Sequence, residues 1–384
     1  MKEDQLNKVY EDQFLLLAFV TIVTFKVVML PQYFVKAASN NGYMIMAFLV
    51  IVEMMMMAVV YGITKNGSLL QLDVPKWLKG VFAILVFSSS FIKSTVLGSE
   101  GVSYISTSIY DNVSWIFITL ALLATCTYLA HKGGKVIARS TQIFFWIMAF
   151  ALLFFAMFSN VNLNLLNLMP FKISGELAVA GDRYLMWFGD FTPLLFIHVC
   201  KSPNRKKYRL ALWTVLTVIG TLVCTVGLMI LFTCTFGGAG ELIGNAFINI
   251  SSLNKISFMI GSADLPTVLA WLVMCVTKFS LLLYAMTECA KFFFGNRALV
   301  AAICGAVVCV VICYVIGNLN TNYKWATSWL RYYAFFAEFC VTIAAYIAMR
   351  ICQRKKEKTT PQTKEAQNSQ ADTSAAQSIQ GGNA

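Results

Sequence analysis

Ten apolar runs alternate with short polar segments along the chain, at 13–35, 43–63, 80–99, 113–131, 137–159, 184–200, 209–236, 266–292, 298–317 and 331–351. Each is close to the roughly 20 residues that a helix needs to cross a bilayer. The third run keeps a helical pattern to about Tyr110. Two runs are interrupted. The first contains Thr24-Phe25-Lys26 and then Leu30-Pro31, and the sixth contains Phe188-Gly189-Asp190-Phe191-Thr192-Pro193. Gly, Pro and charge inside a membrane helix predict a break, because Pro lacks the amide that continues the ladder and Gly resists helical order. Two broken spans half a chain apart point to a transporter-type site built on inverted repeats.

The expected fold is therefore an all-α polytopic membrane protein. Ten transmembrane helices form two inverted five-helix repeats, with helices 1 and 6 discontinuous. Residues 1–183 carry helices 1–5 and residues 184–352 carry helices 6–10. Residues 353–384 form a polar tail, rich in Lys, Gln, Ser and Thr, that is expected to be disordered. Two outer segments, 160–183 and 237–265, are long enough to hold structure. Phe247, Ile248, Ile250 and Phe258 in the second predict a re-entrant or surface helix that lids a cavity.

Composition agrees with a bilayer protein: 58% of residues are hydrophobic, 12% are charged and mean hydropathy is +0.69. The first twelve residues are polar, and many spans follow, so 13–35 reads as a span and not as a cleaved leader. The net charge of +12 would suit nucleic acid, but its distribution does not. Twenty-one of the 30 Lys and Arg fall in alternate segments: before the first run, at Lys65 to Lys79, at Lys132 to Arg139, at Lys201 to Arg209, at Lys291 and Arg297, and from Arg350 onward. Six fall in the other segments. This positive-inside pattern places both termini in the cytoplasm. The eleven cysteines lie almost all in apolar runs and read as small buried hydrophobes. With only His131 and His198 available, no His-based metal site is expected, nor any cofactor.

Six ionisable residues lie well inside runs: Lys26, Glu53, Lys93, Asp190, Lys278 and Glu338. At a helix centre each would cost roughly 2.5 to 3.5 kcal/mol, so they should face a cavity or one another. Three cations against three anions allow mutual pairing. At the sixth break, Thr192 is placed to cap a half-helix starting at Pro193. Free amides at a positive helix end would then seat a carboxylate near the midplane. A zwitterionic amino acid suits this setting, with the amides or Lys26 taking the anion and Asp190 the cation. The rival reading is that Lys26 and Asp190 neutralise each other. Candidate ligand-binding residues are thus Thr24, Phe25, Lys26, Lys93, Phe188, Gly189, Asp190 and Thr192, with Lys278 and Glu53 as candidate ion-site substitute or coupling groups. Glu288 is expected to pair with nearby Lys291.

Several short motifs resemble one family in order and spacing. They are Leu30-Pro31 with Asn41-Gly42-Tyr43, Gly134 with Ile137-Ala138-Arg139, the run Leu163 to Pro170, Gly189-Asp190 with Lys206-Lys207-Tyr208, and Asp264 with Trp271. Over about 15–350 the chain is similar to the permease-like B subunit of bacterial spore germinant receptors, within the amino acid–polyamine–organocation superfamily. The first break departs from the family's Gly-x-Gly, and Gly261-Ser262 stands where an acidic-basic pair is usual. The resemblance implies a ligand between helices one, three, six and eight, and two partners, a larger membrane subunit and a lipoprotein. It also implies a sodium position between helices one and eight. Lys26 and Lys278 would replace that ion, so no sodium coupling is expected.

The implied function is nutrient sensing in the spore inner membrane, with a small ligand, an amino acid by preference, triggering germination. The alternative is a proton-coupled amino acid permease with Asp190 or Glu53 as proton carrier. An enzyme is disfavoured, since no Ser/His or His-rich cluster appears on an inner face.

Overall fold

The computed structural model describes residues 8–108, 115–158, 163–169, 175–201, 207–243, 246, 249–250, 255–257, 261–262, 264–295 and 327–354. Its order begins with a short strand β1 (Lys8–Tyr10), then α1 (Glu11–Thr24), α2 (Leu30–Ala38), α3 (Gly42–Thr64), α4 (Lys76–Ser108), α5 (Trp115–Lys132) and α6 (Gly134–Phe158). After α7 (Gly175–Arg183) come two 3-10 turns and strand β2 (His198–Cys200). Then follow α8 (Lys207–Leu222), a π-turn, α9 (Leu228–Phe236), α10 (Asp264–Phe294) and α11 (Leu330–Arg354). Five described helical segments are long and apolar enough to cross a membrane by length and composition. The protein is an all-helical membrane protein. The ninth apolar run, 298–317, lies outside the described residues.

The first span breaks where the sequence predicts. α1 ends at Thr24, Phe25–Met29 form turns, and α2 restarts with Pro31 in its first turn. Pro fits there because the amide it lacks would have no helical partner. α4 runs to Ser108, as its extended pattern suggests.

The sixth span differs from expectation. Ahead of it stands α7, in the stretch 160–183 that the sequence marks as long enough to hold structure of its own. From Tyr184 to Ile197 there are only 3-10 turns, Leu185–Trp187 and Thr192–Phe196, around an extended Phe188 and a left-handed Gly189 (φ +86°). Thr192 therefore caps nothing. It is the first residue of a five-residue turn that follows Phe191, and its buried hydroxyl finds no hydrogen-bond partner among the described residues. With Pro193 beside it and Ile197 already extended, the segment is too short to develop a half-helix and its dipole.

Below the break the chain becomes β2, which pairs in parallel with β1, Lys8 to His198, Val9 to Val199 and Tyr10 to Cys200. The entry to the first broken span and the exit from the sixth are thus tied by backbone bonds. Val9 and Val199 bury their side chains there.

α10 is enclosed on all sides: Leu281, Leu282, Leu283, Tyr284, Ala285 and Met286 are consecutive and all buried. α3 is one-sided, with Phe48, Ile51 and Met55 exposed on the lipid face and Val50, Glu53 and Met57 turned inward. Within 237–265, Ala246 and Ile250 are buried, and the Ala246 amide donates to the Val28 carbonyl of the first break at 2.9 Å. Phe247, Ile248 and Phe258, on which the lid expectation rested, lie outside the described residues.

Close approach of α2, α3 and α9 depends on Gly42. A Cβ there would sit 2.7 Å from the Met229 methyl and 2.8 Å from the Phe34 Cβ. Gly42→Val is expected to cost about 1–3 kcal/mol by overpacking, read as a lower melting temperature of the detergent-solubilised protein. A melt equal to wild type would show that the three elements do not need this contact.

Candidate functional site

All six intramembrane charges meet at one place. Each comes from a different segment: Lys26 from the first break, Glu53 from α3, Lys93 from α4, Asp190 from the sixth break, Lys278 from α10 and Glu338 from α11. None is more than 2% exposed. A charge so buried requires a partner at short range, since its desolvation is several kcal/mol.

Asp190 is the hub. Its Oδ1 lies 3.0 Å from the Lys93 ammonium, and its Oδ2 lies 2.6 Å from Lys278 and 3.6 Å from Lys26. Lys93 also donates to Glu338 Oε2 at 3.1 Å and to the Phe188 carbonyl at 2.7 Å. Lys26 completes the set with Glu53 Oε2 at 2.9 Å and the Ile22 carbonyl at 2.8 Å. Aromatic faces cover the remaining ammonium surface: Lys278 lies 3.6 Å from the Phe25 ring centre and Lys26 lies 4.8 Å from that of Phe188.

The amides of the sixth break do hold a carboxylate, and it is the protein's own. Gly189 and Asp190 both donate to Glu53 Oε1, at 3.1 and 3.0 Å. The left-handed Gly189 makes this possible, because it turns two successive amides to one side. A Cβ at Gly189 would also come within 3.0 Å of Glu338 Oε2 and 3.5 Å of Lys93 Nζ. Glycine is required there twice, for backbone and for space.

Seven of the eight ligand-site candidates gather here, together with Lys278 and Glu53. Thr24 belongs to the wall, its hydroxyl bonded to the Val20 carbonyl at 2.5 Å and approaching that of Met274 at 3.4 Å, with Trp271 Nε1 donating to its own carbonyl. Thr192, the eighth, has no bond to the others. Lys26 and Asp190 face each other at 3.6 Å, within a larger network of six charges. The pair Glu288 and Lys291 forms as expected at 2.6 Å.

One acidic residue escaped the sequence reading. Glu100, 7% exposed, accepts the Trp187 indole N–H at 2.9 Å. It lies one residue beyond the apolar window 80–99, and only the extension of that helix toward Tyr110 would have exposed it as intramembrane. Above it, Tyr33 stacks on Tyr184 at 5.5 Å and meets the Trp187 edge at 5.4 Å, joining the two broken spans through aromatic contact. Nearer solvent, Asp182 accepts from Arg331 and Tyr332, both at 2.8 Å.

Residues 8–322 match the spore permease family, described as spore germination protein. No individually curated protein matches the chain. By structure it is similar to a mutant of a manganese transporter of Eremococcus coleocola, at 13% identity and TM-score 0.52, over 88% of this chain and 78% of the other. The same transporter in complex with an aromatic bis-isothiourea compound gives 12% identity and TM-score 0.50, over 88% and 76%. The inward-facing conformation of Mhp1 gives 11% identity and TM-score 0.43, over 89% and 91%. At such identity the likeness to the manganese transporter carries the fold and not its cargo.

The network makes a prediction about stability. Removing the Lys93 ammonium strands Glu338 and takes away one of the three lysines around Asp190, so Lys93→Met is expected to cost roughly 3–5 kcal/mol. Adding Glu338→Gln should recover part of that loss. Melting temperatures of the two single variants and the double variant test it, and strictly additive losses would mean that the pair is not coupled.

Proposed function

Because the chain belongs to the spore germination protein family, we propose that it is the permease-like subunit of a nutrient germinant receptor in the spore inner membrane. A small ligand, an amino acid by preference, binds at the midplane between the two breaks and triggers germination. A larger membrane subunit and a lipoprotein are its expected partners, and both termini face the cytoplasm. The observation that carries this reading is the constellation at the sixth break: two amides and Lys26 around a carboxylate, and a second carboxylate, Asp190, among ammonium groups. An amino acid supplies one group of each kind.

Its carboxylate would take the amides from Glu53, and its ammonium would take one lysine's place on Asp190. Net charge is unchanged by such an exchange, because the zwitterion brings one charge of each sign, and the ligand need only match interactions already present. The released Glu53 and lysine belong to α3 and to α4 or α10. Ligand exchange would therefore loosen specific helix contacts, and a signal to partner subunits needs a change of that kind.

The proton-coupled permease stands as a second reading, on one observation. Among the described residues five carboxylates are buried, Asp12 in the first turn of α1 with Glu53, Glu100, Asp190 and Glu338, against the three buried lysines Lys26, Lys93 and Lys278. A proton or a cation would restore neutrality, and Glu100, without a basic partner in hydrogen-bond range among those residues, is where it would reside.

Spores carrying Asp190→Asn or Lys26→Met are expected to lose the response to a panel of L-amino acids while membrane levels by immunoblot stay at wild type. Normal responses in both would refute the site. Replacing sodium by N-methylglucamine should leave the wild-type response unchanged, because Lys26 and Lys278 supply fixed positive charge beside the first break. A strict sodium requirement would defeat that assignment. Robust accumulation of labelled amino acid in proteoliposomes, driven by a proton gradient and lost in Glu100→Gln, would favour the permease.

A further inference from the structure

α3 and α11 part at the end where Lys65, Arg350 and Arg354 gather, leaving a groove of about 410 Å³. Ala58, Gly62 and Asn66 line one wall, and Tyr346, Arg350 and Gln353 the other. The spacings of four along α3, and of four and three along α11, put each row on one helix face. The slot exists because Gly62 has no side chain: a Cβ there meets nothing within 4 Å. Its polar end is held open by a small network. Asn66 donates to the Gly62 carbonyl at 2.9 Å and to the Met349 sulfur at 3.4 Å, and it accepts from Gln353 at 3.1 Å.

Arg350 sets the chemistry. Its Nε and Nη2 both donate to the phenol oxygen of Tyr346, at 3.1 and 2.9 Å. That partner is neutral. Three basic groups near the ends of spans have carboxylates, Lys65 with Glu11 at 3.3 Å, Lys291 with Glu288 and Arg331 with Asp182, whereas Lys79 donates to the Leu70 carbonyl and Lys132 lies over the Tyr128 ring. Among the described residues Arg350 has no carboxylate within ion-pair distance. Among those residues the guanidinium at the mouth of the apolar slot thus has only a neutral partner. Exposed Ile51 and Met55 on α3, and Ile343 and Ile347 on α11, continue the apolar surface toward the bilayer centre.

We propose that this groove binds an anionic phospholipid of the adjoining leaflet. The phosphate takes the free donors of Arg350, with Asn66 and Gln353 beside it, and one acyl chain lies in the slot over Gly62 and Ala58. Charge selects the headgroup: a guanidinium matches phosphate geometry with paired donors, and basic pockets between spans at the cytoplasmic side suit acidic lipid. A zwitterionic lipid would leave the excess charge unmet. The site is independent of the ion cluster, and its occupancy would fix the distance between α3, which carries Glu53, and α11, which carries Glu338.

The test titrates the purified full-length protein in detergent with phosphatidylglycerol or phosphatidylcholine and counts adducts by native mass spectrometry. The first phosphatidylglycerol should bind about tenfold more tightly than phosphatidylcholine, as one charge-assisted contact implies. Arg350→Ala should abolish the preference. Gly62→Leu enters open space, so it should keep the lipid-free melt at wild type while weakening both lipids. Equal binding of the two lipids, or a preference that survives Arg350→Ala, overturns the proposal. So does displacement of the lipid by inorganic phosphate alone, or loss of the groove to a partner subunit whose binding Gly62→Leu blocks.

Discussion

A charge in the middle of a membrane protein cannot wait for water to neutralise it, and this constraint organises the whole chain. Three lysines and three acids arrive from six different segments and settle within ion-pair distance of one another. Each is tolerable only because the others are present. The helices that bear them are consequently fixed in rotation and depth: α3 must present Glu53, α4 must present Lys93, and α10 must present Lys278 to the same point. Apolar packing alone does not specify such a register, since lipid tails are as apolar as the side chains they would replace.

The breaks serve this arrangement. An unbroken sixth helix would spend the amides of Gly189 and Asp190 on its own ladder. Opened at Phe188 and turned at Gly189, the chain gives both to Glu53 and the Phe188 carbonyl to Lys93. Backbone thus acts as ligand, which irregular structure at membrane depth can do only when enclosed by protein.

The breaks and the six charges were legible because each stands out against apolar neighbours. Pro31, Gly189 and Asp190 interrupt a pattern, and an interruption is visible in one dimension. Pairing was not legible, because Glu53 is chosen by the amides of residues far along the chain. The expected cap at Thr192 failed for a local reason: Pro193 suggests a helix start, but only a five-residue turn follows before Ile197 extends toward β2. α7 falls within 160–183, a stretch whose length allows structure to be expected there but not its kind. Glu100 was missed at a window's edge, and the groove at Gly62 depends on how two distant helices diverge.

The pairing of β1 with β2 also has a bearing on biogenesis. Lys8 cannot find His198, nor Tyr10 find Cys200, until the ribosome has delivered the first six spans. Lys26 is in the same position, because both of its acids are made after it. The first span therefore enters the membrane with an unmatched lysine and an unpaired leading strand. It must be sheltered by the insertion machinery, or remain only partly inserted, while the following spans are made. Assembly therefore secures β1 and Lys26 fully only after β2 and Asp190 have been made.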